Sequence, residues 1–215
     1  MNDSLSIIVP VRNAEKTLSQ QIARLLDVLP DLTTRFEVLV VDDGSTDHTG
    51  ELVRELATEY PQLRLIRHRE PRGIEAAVRT GLQWVQGRTV FVQEDAASLS
   101  SADLRELWAL RHDEELVMAR AASRPGVFDP LLLDRLGQWG RTLQTAAQSP
   151  AGGGIHMIRR VAVEKLLADN DTDGKLTISQ LPAAQPARTD SLHRSIPPRG
   201  SPSFLRHLTN LALGD

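Results

Sequence analysis

The chain has 215 residues, 40% apolar and 25% charged, with 25 Lys and Arg against 28 Asp and Glu for a net charge of −3. That is enough for one α/β domain with a substantial core, and it lacks the basic excess that nucleic acid or a polybasic membrane contact calls for. Without cysteine there are no disulfides or thiolate metal sites, no apolar run nears the ~18 residues of a transmembrane segment, and the opening MNDSLSIIVP is too acidic and too short in its apolar run for a signal peptide, so the expected compartment is the cytoplasm.

LSIIVPV, ending in Pro10-Val11, reads as a strand buried on both faces. A helix follows, with Leu18, Ile22, Leu25, Leu26 and Leu29 on one face and Asn13 as its candidate cap. FEVLVVDDGSTD is a second buried strand running into acids and turn residues. Leu52, Val53 and Leu56 then mark a helix closed by Tyr60-Pro61. LRLIRH is a third strand, GIEAAVRTGLQWV a third helix and TVFVQED a fourth strand. Ser100 and Asp103 form a variant capping box opening the helix DLRELWAL, and ELVMARA is a fifth strand. Repeated βα units of this length predict a mostly parallel sheet flanked by helices.

The second half is less regular. Asp129-Pro130 suits an N-cap with Pro at N1, opening a helix to about Ala147. AGGGIHMIRR turns into a short strand, RVAVEKLLA is helical, and KLTISQLP alternates like a half-buried strand. Residues 182–203, rich in Pro, Ser, Arg and Gly, read as loop, and FLRHLTNLAL as a terminal amphipathic helix. No repeat or linker divides residues 1–215, so one domain is expected.

In an open parallel sheet, ligands bind outside the carboxyl ends of the strands. Three polar groups fall there: Pro10 to Glu15 after strand one, Asp42 to Asp47 after strand two, and Gln93-Glu94-Asp95 after strand four. Singly, each has an ordinary structural explanation, since Asn13 and Asp47 suit helix caps and DDGS suits a turn. Together they point to a site, because Asp42-Asp43 sets two like charges at a strand end.

The stretches SIIVPVRNAEKTL, EVLVVDDGSTDHTGELV, PRGIEAAVRTGLQWVQG and TVFVQED, in this order and spacing, resemble the family 2 glycosyltransferases, which have the GT-A fold. GGGIHMIRRVAVEKL and GKLTISQLPAAQPAR are similar to that family's later, acceptor-side elements. The resemblance implies a nucleotide-binding half over 1–98 and an acceptor-side half over 99–215. It implies that Pro10, Asn13 and Glu15 border the nucleotide, that Asp43 with Asp42 beside it faces base or ribose, and that Arg72 and Gly73 lie on the loop passing the nucleotide. Pro71 stands where the family often has Asn.

The family's metal motif is usually Asp-x-Asp. Here Gln93 takes the first place and Asp95 the second, which marks a divergent member with a degenerate motif. Asp95, helped by Glu94, is the expected ligand of Mg²⁺ or Mn²⁺, with Gln93 toward the nucleotide. The implied function is transfer of a sugar from a nucleotide-sugar donor to an unidentified acceptor by direct displacement. No carboxylate stands near QSPAGGGIH to serve as base, so the catalytic residue is unassigned. The alternative is a weak or inactive member that binds nucleotide or a partner protein.

Residues 169–180, DNDTDGKLTISQ, also fit the calcium-loop pattern at Asp169, Asp171, Asp173 and Gly174, but Gln180 replaces the bidentate Glu and Pro182 follows. An acidic turn is the competing reading. His48, His68, His112, His193 and His207 show no ligand spacing and read as surface residues.

Overall fold

The computed structural model describes residues 3–93, 100–121, 138–145 and 154–171. In chain order the elements are β1 (Leu5–Val11), α1 (Leu18–Leu32), β2 (Phe36–Asp42), α2 (Thr49–Glu59), β3 (Leu63–Arg67), α3 (Ile74–Trp84), β4 (Thr89–Gln93), α4 (Ser101–Ala109) with a 3₁₀ turn at Leu110–His112, β5 (Leu116–Ala121), β6 (Arg141–Thr145), β7 (Ile155–Arg159) and α5 (Arg160–Asp171). The strands form one sheet in the order β3-β2-β1-β4-β7-β5-β6. Among the described strands only β7, antiparallel to both β4 and β5, runs against the rest. This is the mostly parallel α/β architecture expected.

Alternation along the strands divides the core in two. Ile7, Val9, Val38, Val40, Phe91 and Met157 face one side, where α1, α2 and α4 cover them. Ile8, Leu39, Val41, Val90, Val92 and Ile158 face the other, covered by α3 and α5. Because β1 and β2 are covered on both faces, every one of their residues is buried. That is why they read as near-continuous apolar runs rather than alternating ones.

Two polar side chains in these buried strands, Ser6 and Glu37, are satisfied at the amino edge of the sheet. Ser6 Oγ donates to Glu37 Oε1 at 2.6 Å. Gln86 N–H donates to the same oxygen at 2.8 Å, and Arg64 Nη1 to Glu37 Oε2 at 2.8 Å. Gly87 N–H then closes onto Ser6 Oγ at 2.7 Å. A Cβ on Gly87 would lie 2.6 Å from Ser6 N, so the chain entering β4 can pass this close only as glycine. The carboxyl edge is left for other business.

Several expectations need correction. Asn13 does not cap α1, which starts five residues later with Thr17 as its N-cap. Pro10 lies inside β1, as the run LSIIVPV implies, buried and opposite Val41, and not beyond the strand's end with Asn13 and Glu15. The pairing of β1 with β4 ends at Ile8 and Val92, so a residue with no N–H to give is tolerated beyond it. The helix expected to run to about Ala147 gives way to β6 over Arg141–Thr145, parallel to β5. Thr142 and Thr145 are β-branched, and Gly140, where a Cβ would lie 2.8 Å from Glu115 O, lets the chain come against β5. Asp169 and Asp171 of the calcium-loop pattern fall in the last turn of α5. The remainder of that pattern, the Asp129-Pro130 cap, KLTISQLP, residues 182–203 and FLRHLTNLAL lie outside the described residues.

Candidate functional site

At the carboxyl edge, the turns after β1 and β2 are stitched together. Asn13 takes a left-handed backbone, φ 50°, which Asn tolerates better than most residues. Its N–H donates to Ser45 Oγ at 2.9 Å, and Thr46 N–H donates back to Asn13 Oδ1 at 2.9 Å. Ala14 N–H reaches Thr49 Oγ1 at 2.8 Å, and Glu15 N–H reaches Asp47 Oδ2 at 3.2 Å. Glu15 Oε2 in turn accepts from His48 N–H at 3.0 Å. Asp47 also accepts the backbone N–H of Thr49 at 3.0 Å, satisfying an orphan donor at the start of α2. Desolvation raises the pKa of Asp47, but the hydrogen bonds from Thr49 and Glu15 outweigh it and the net shift is downward.

The two adjacent aspartates separate into different tasks. Asp42 is fully buried. Its Oδ1 accepts Ser45 N–H at 2.9 Å, an Asx-type turn, and its Oδ2 lies 3.3 Å from Arg67 Nε. Arg67 Nη2 also donates to Ser45 O at 2.6 Å. Asp42 therefore shapes the turn from inside the fold.

Asp43 points the other way, onto the loop between β3 and α3. Its Oδ1 accepts Arg72 N–H at 2.8 Å and its Oδ2 accepts Gly73 N–H at 2.8 Å. Oδ1 also meets His68 Nδ1 at 2.8 Å, and His68 Nε2 lies 2.9 Å from Thr80 Oγ1 on α3. An ionised carboxylate only accepts, so the His68 proton toward it sits on Nδ1. Desolvation pushes the Asp43 pKa up, yet the bonds from Arg72, His68 and Gly73 and the nearby His68 charge hold it below the ordinary value. Gly44, at φ 66°, lies directly against this loop: a Cβ there would be 2.7 Å from Pro71 N and 2.8 Å from Glu70 C.

The structure thus joins the turns carrying Asn13, Glu15, Asp43, Arg72 and Gly73 into one hydrogen-bonded rim. Asp43 N–H, donating to Val11 O at 2.8 Å, links the β1 end to the rest. Gly73, at φ 90°, is the N-cap of α3, and the Arg72 side chain is exposed. Gln93 ends β4 opposite Ile155 and is 2% exposed. Glu94 and Asp95 lie outside the described residues, and among the described residues no group of three acids or histidines could hold a metal ion.

The sequence reading missed His68, which is buried rather than on the surface, and with it Thr80, Ser45 and Arg67. The available signal was position: His68 immediately follows β3, at the same edge as the acids. His156 is fully buried in β7, opposite Val92 and Arg120.

The sequence pattern described as "Glycosyl transferase family 2" matches residues 6–167. An uncharacterised glycosyltransferase of Synechocystis is 31% identical over 130 residues, 59% of this chain and 40% of that one. The dolichol-phosphate mannosyltransferase of Pyrococcus furiosus is 36% identical over 92 residues, 43% of this chain and 25% of that one. The chain thus spans well under half the length of these relatives. GalNAc-T7, solved with UDP, GalNAc and Mn²⁺, superposes with a TM-score of 0.53 at 16% identity, covering 76% of this chain and 36% of that one, which shows a shared fold.

Proposed function

The chain belongs to glycosyltransferase family 2 and has the GT-A fold, and we propose that it transfers a sugar from a nucleotide-sugar donor to an acceptor by direct displacement at the anomeric carbon. The observation that carries this reading is the rim at the carboxyl edge, where three separate turns are locked around Asn13 and Asp43. In a parallel sheet such an edge is where nucleotides bind. The oxygen of an acceptor hydroxyl forms the new bond to the sugar while the bond to the diphosphate breaks; the nucleoside diphosphate leaves with the electron pair, and the hydroxyl proton passes to a base or to water. Asn13 and Glu15 border the nucleotide, the Arg72-Gly73 loop passes along it, and Gln93 supports it from the end of β4. Asp42 and Pro10 support these groups from inside the fold. We take residues 1–215 as one domain, with 1–98 as its donor half and 99–215 as its acceptor half.

Two adjacent acids after a buried strand are a hard-oxygen donor set that suits Mg²⁺ or Mn²⁺, which needs only one or two protein carboxylates beside phosphate and water. Asp95, with Glu94, would hold the ion, and a bound ion would neutralise charge on the departing diphosphate.

Titration calorimetry with UDP, GDP, ADP and TDP, with and without Mn²⁺, tests this reading. One nucleotide should give saturable heat that Mn²⁺ strengthens. Silence from all four at millimolar concentration overturns the proposal. Asp95→Ala should abolish the Mn²⁺ effect and Gln93→Ala should leave it; equal effects would show that the ligands are wrongly assigned.

A further inference from the structure

His68 lies outside every motif that suggested nucleotide binding, yet the rim depends on it. Three contacts and the start of α3 close a ring. Asp43 holds Gly73 N–H, Gly73 opens α3, Thr80 on α3 meets His68 Nε2, and His68 Nδ1–H returns to Asp43. The seven residues from Gly73 to Thr80 are about two helical turns, which brings Thr80 back over the helix start. His68 N–H is itself anchored on Asp42 O at 2.8 Å, so the imidazole is carried by the sheet. Both members of the His68–Asp43 pair are buried, 5% and 4% exposed.

The arrangement is more than packing. The terminal torsion of an aspartate is soft. Arg72 N–H and Gly73 N–H alone would let the carboxylate and the loop turn together. The imidazole, held at both nitrogens, fixes the plane of the carboxylate, and the carboxylate fixes the two backbone N–H groups. We propose that His68, latched by Thr80, is a positioning residue for the donor: through Asp43 it holds the loop over Glu70–Gly73 in its nucleotide-receiving shape before the ligand arrives. Asp43 therefore serves mainly as the clamp of this loop, with the exposed Arg72 side chain as the group presented to the ligand. This inference rests on the donor reading above for its purpose, but not for its geometry.

The experiment has two arms. In the nucleotide-free protein, amide hydrogen exchange at Arg72 and Gly73 is measured in wild type, His68→Leu, His68→Asn and Thr80→Val. Asn keeps a donor where Nδ1 stood. His68→Leu should speed exchange at these two amides most, Thr80→Val less, and His68→Asn should restore much of the protection. In the second arm, the affinity for whichever of UDP, GDP, ADP or TDP binds wild type is compared across the same variants. His68→Leu should weaken it roughly tenfold, since the loop must then be ordered at the ligand's expense, with His68→Asn again recovering most of the loss. Unchanged exchange in both His68→Leu and Thr80→Val overturns the clamp. Faster exchange with unchanged affinity, or equal losses in Leu and Asn, overturns the positioning role and leaves His68 as packing. If no nucleotide binds wild type, the donor reading and the purpose assigned to the clamp fail, while the exchange arm still decides the clamp itself.

Discussion

Burial by itself would raise the pKa of Asp43, and it is the N–H groups of Arg72, His68 and Gly73 that bring it down. The sign of the pH dependence follows. A carboxyl whose folded pKa is lowered contributes stability that is complete above its unfolded value, near 3.8, and that disappears as the pH falls through the folded value. Asp47 is shifted in the same direction. Urea midpoints measured from about pH 6 down to about pH 2 should therefore drop through the region below 3.8. In Asp43→Asn that drop should be shallower. The same variant should also be weaker at neutral pH by about 1–3 kcal/mol, because an amide nitrogen then faces an N–H donor. An unchanged acid limb in Asp43→Asn would show that Asp43 is not the titrating group. The acids of this rim were legible in the sequence because DDGSTD is a run of turn formers after a buried strand. Their division of labour was not, because adjacent residues of one strand end point to opposite sides and only the third dimension says which side holds Arg67 and which holds His68.

At the scale of the element, α3 shows how a close approach overrides helix propensity. Gly81 lies mid-helix, where alanine is ordinarily better by about 1 kcal/mol. A Cβ at Gly81 would meet Ile8 Cγ2 at 2.5 Å. Ile8 is fully buried in β1, and its Cγ2, fixed to a branched Cβ, has no freedom to swing aside. Overpacking of this kind costs about 1–3 kcal/mol, so it wins. Gly81→Ala should lower the urea midpoint, whereas Gly73→Ala meets no atom within 4 Å and suffers only from its φ of 90°. A higher midpoint for Gly81→Ala would mean that α3 can slide off β1. The same contrast explains which elements could be read in advance. β1, β2 and α1 announce themselves because their burial imposes long apolar runs or helical spacing. β6 does not, since it carries Arg141, Thr142, Gln144 and Thr145 with only Leu143 apolar, and its strand state comes from pairing with β5.

For the whole molecule, the two apolar layers lie on opposite faces of shared strands, so neither can be lost alone. Unfolding that exposes the α3 side frees Ile8, Leu39 and Val90, whose chain neighbours Ile7, Val38 and Phe91 belong to the α1 and α4 side. Tryptophans report the two faces separately. Trp108 on α4 is 5% exposed and packs edge-on against Phe91, while Trp84 at the end of α3 is 38% exposed. Variants keeping only one of them, with Phe at the other and at Trp139, should each give a fluorescence transition in urea that coincides with the loss of helical circular dichroism. A nucleotide that binds only the folded protein should move both transitions equally, by about 2.7 kcal/mol at a hundredfold excess over its Kd. The rim that would hold it touches both layers, since α2 follows one of its turns and α3 another. Separate midpoints for the Trp84 and Trp108 reporters, or a ligand shift confined to Trp84, would mean that α3 and its loop form a unit of their own, and that the molecule is less unified than its single sheet implies.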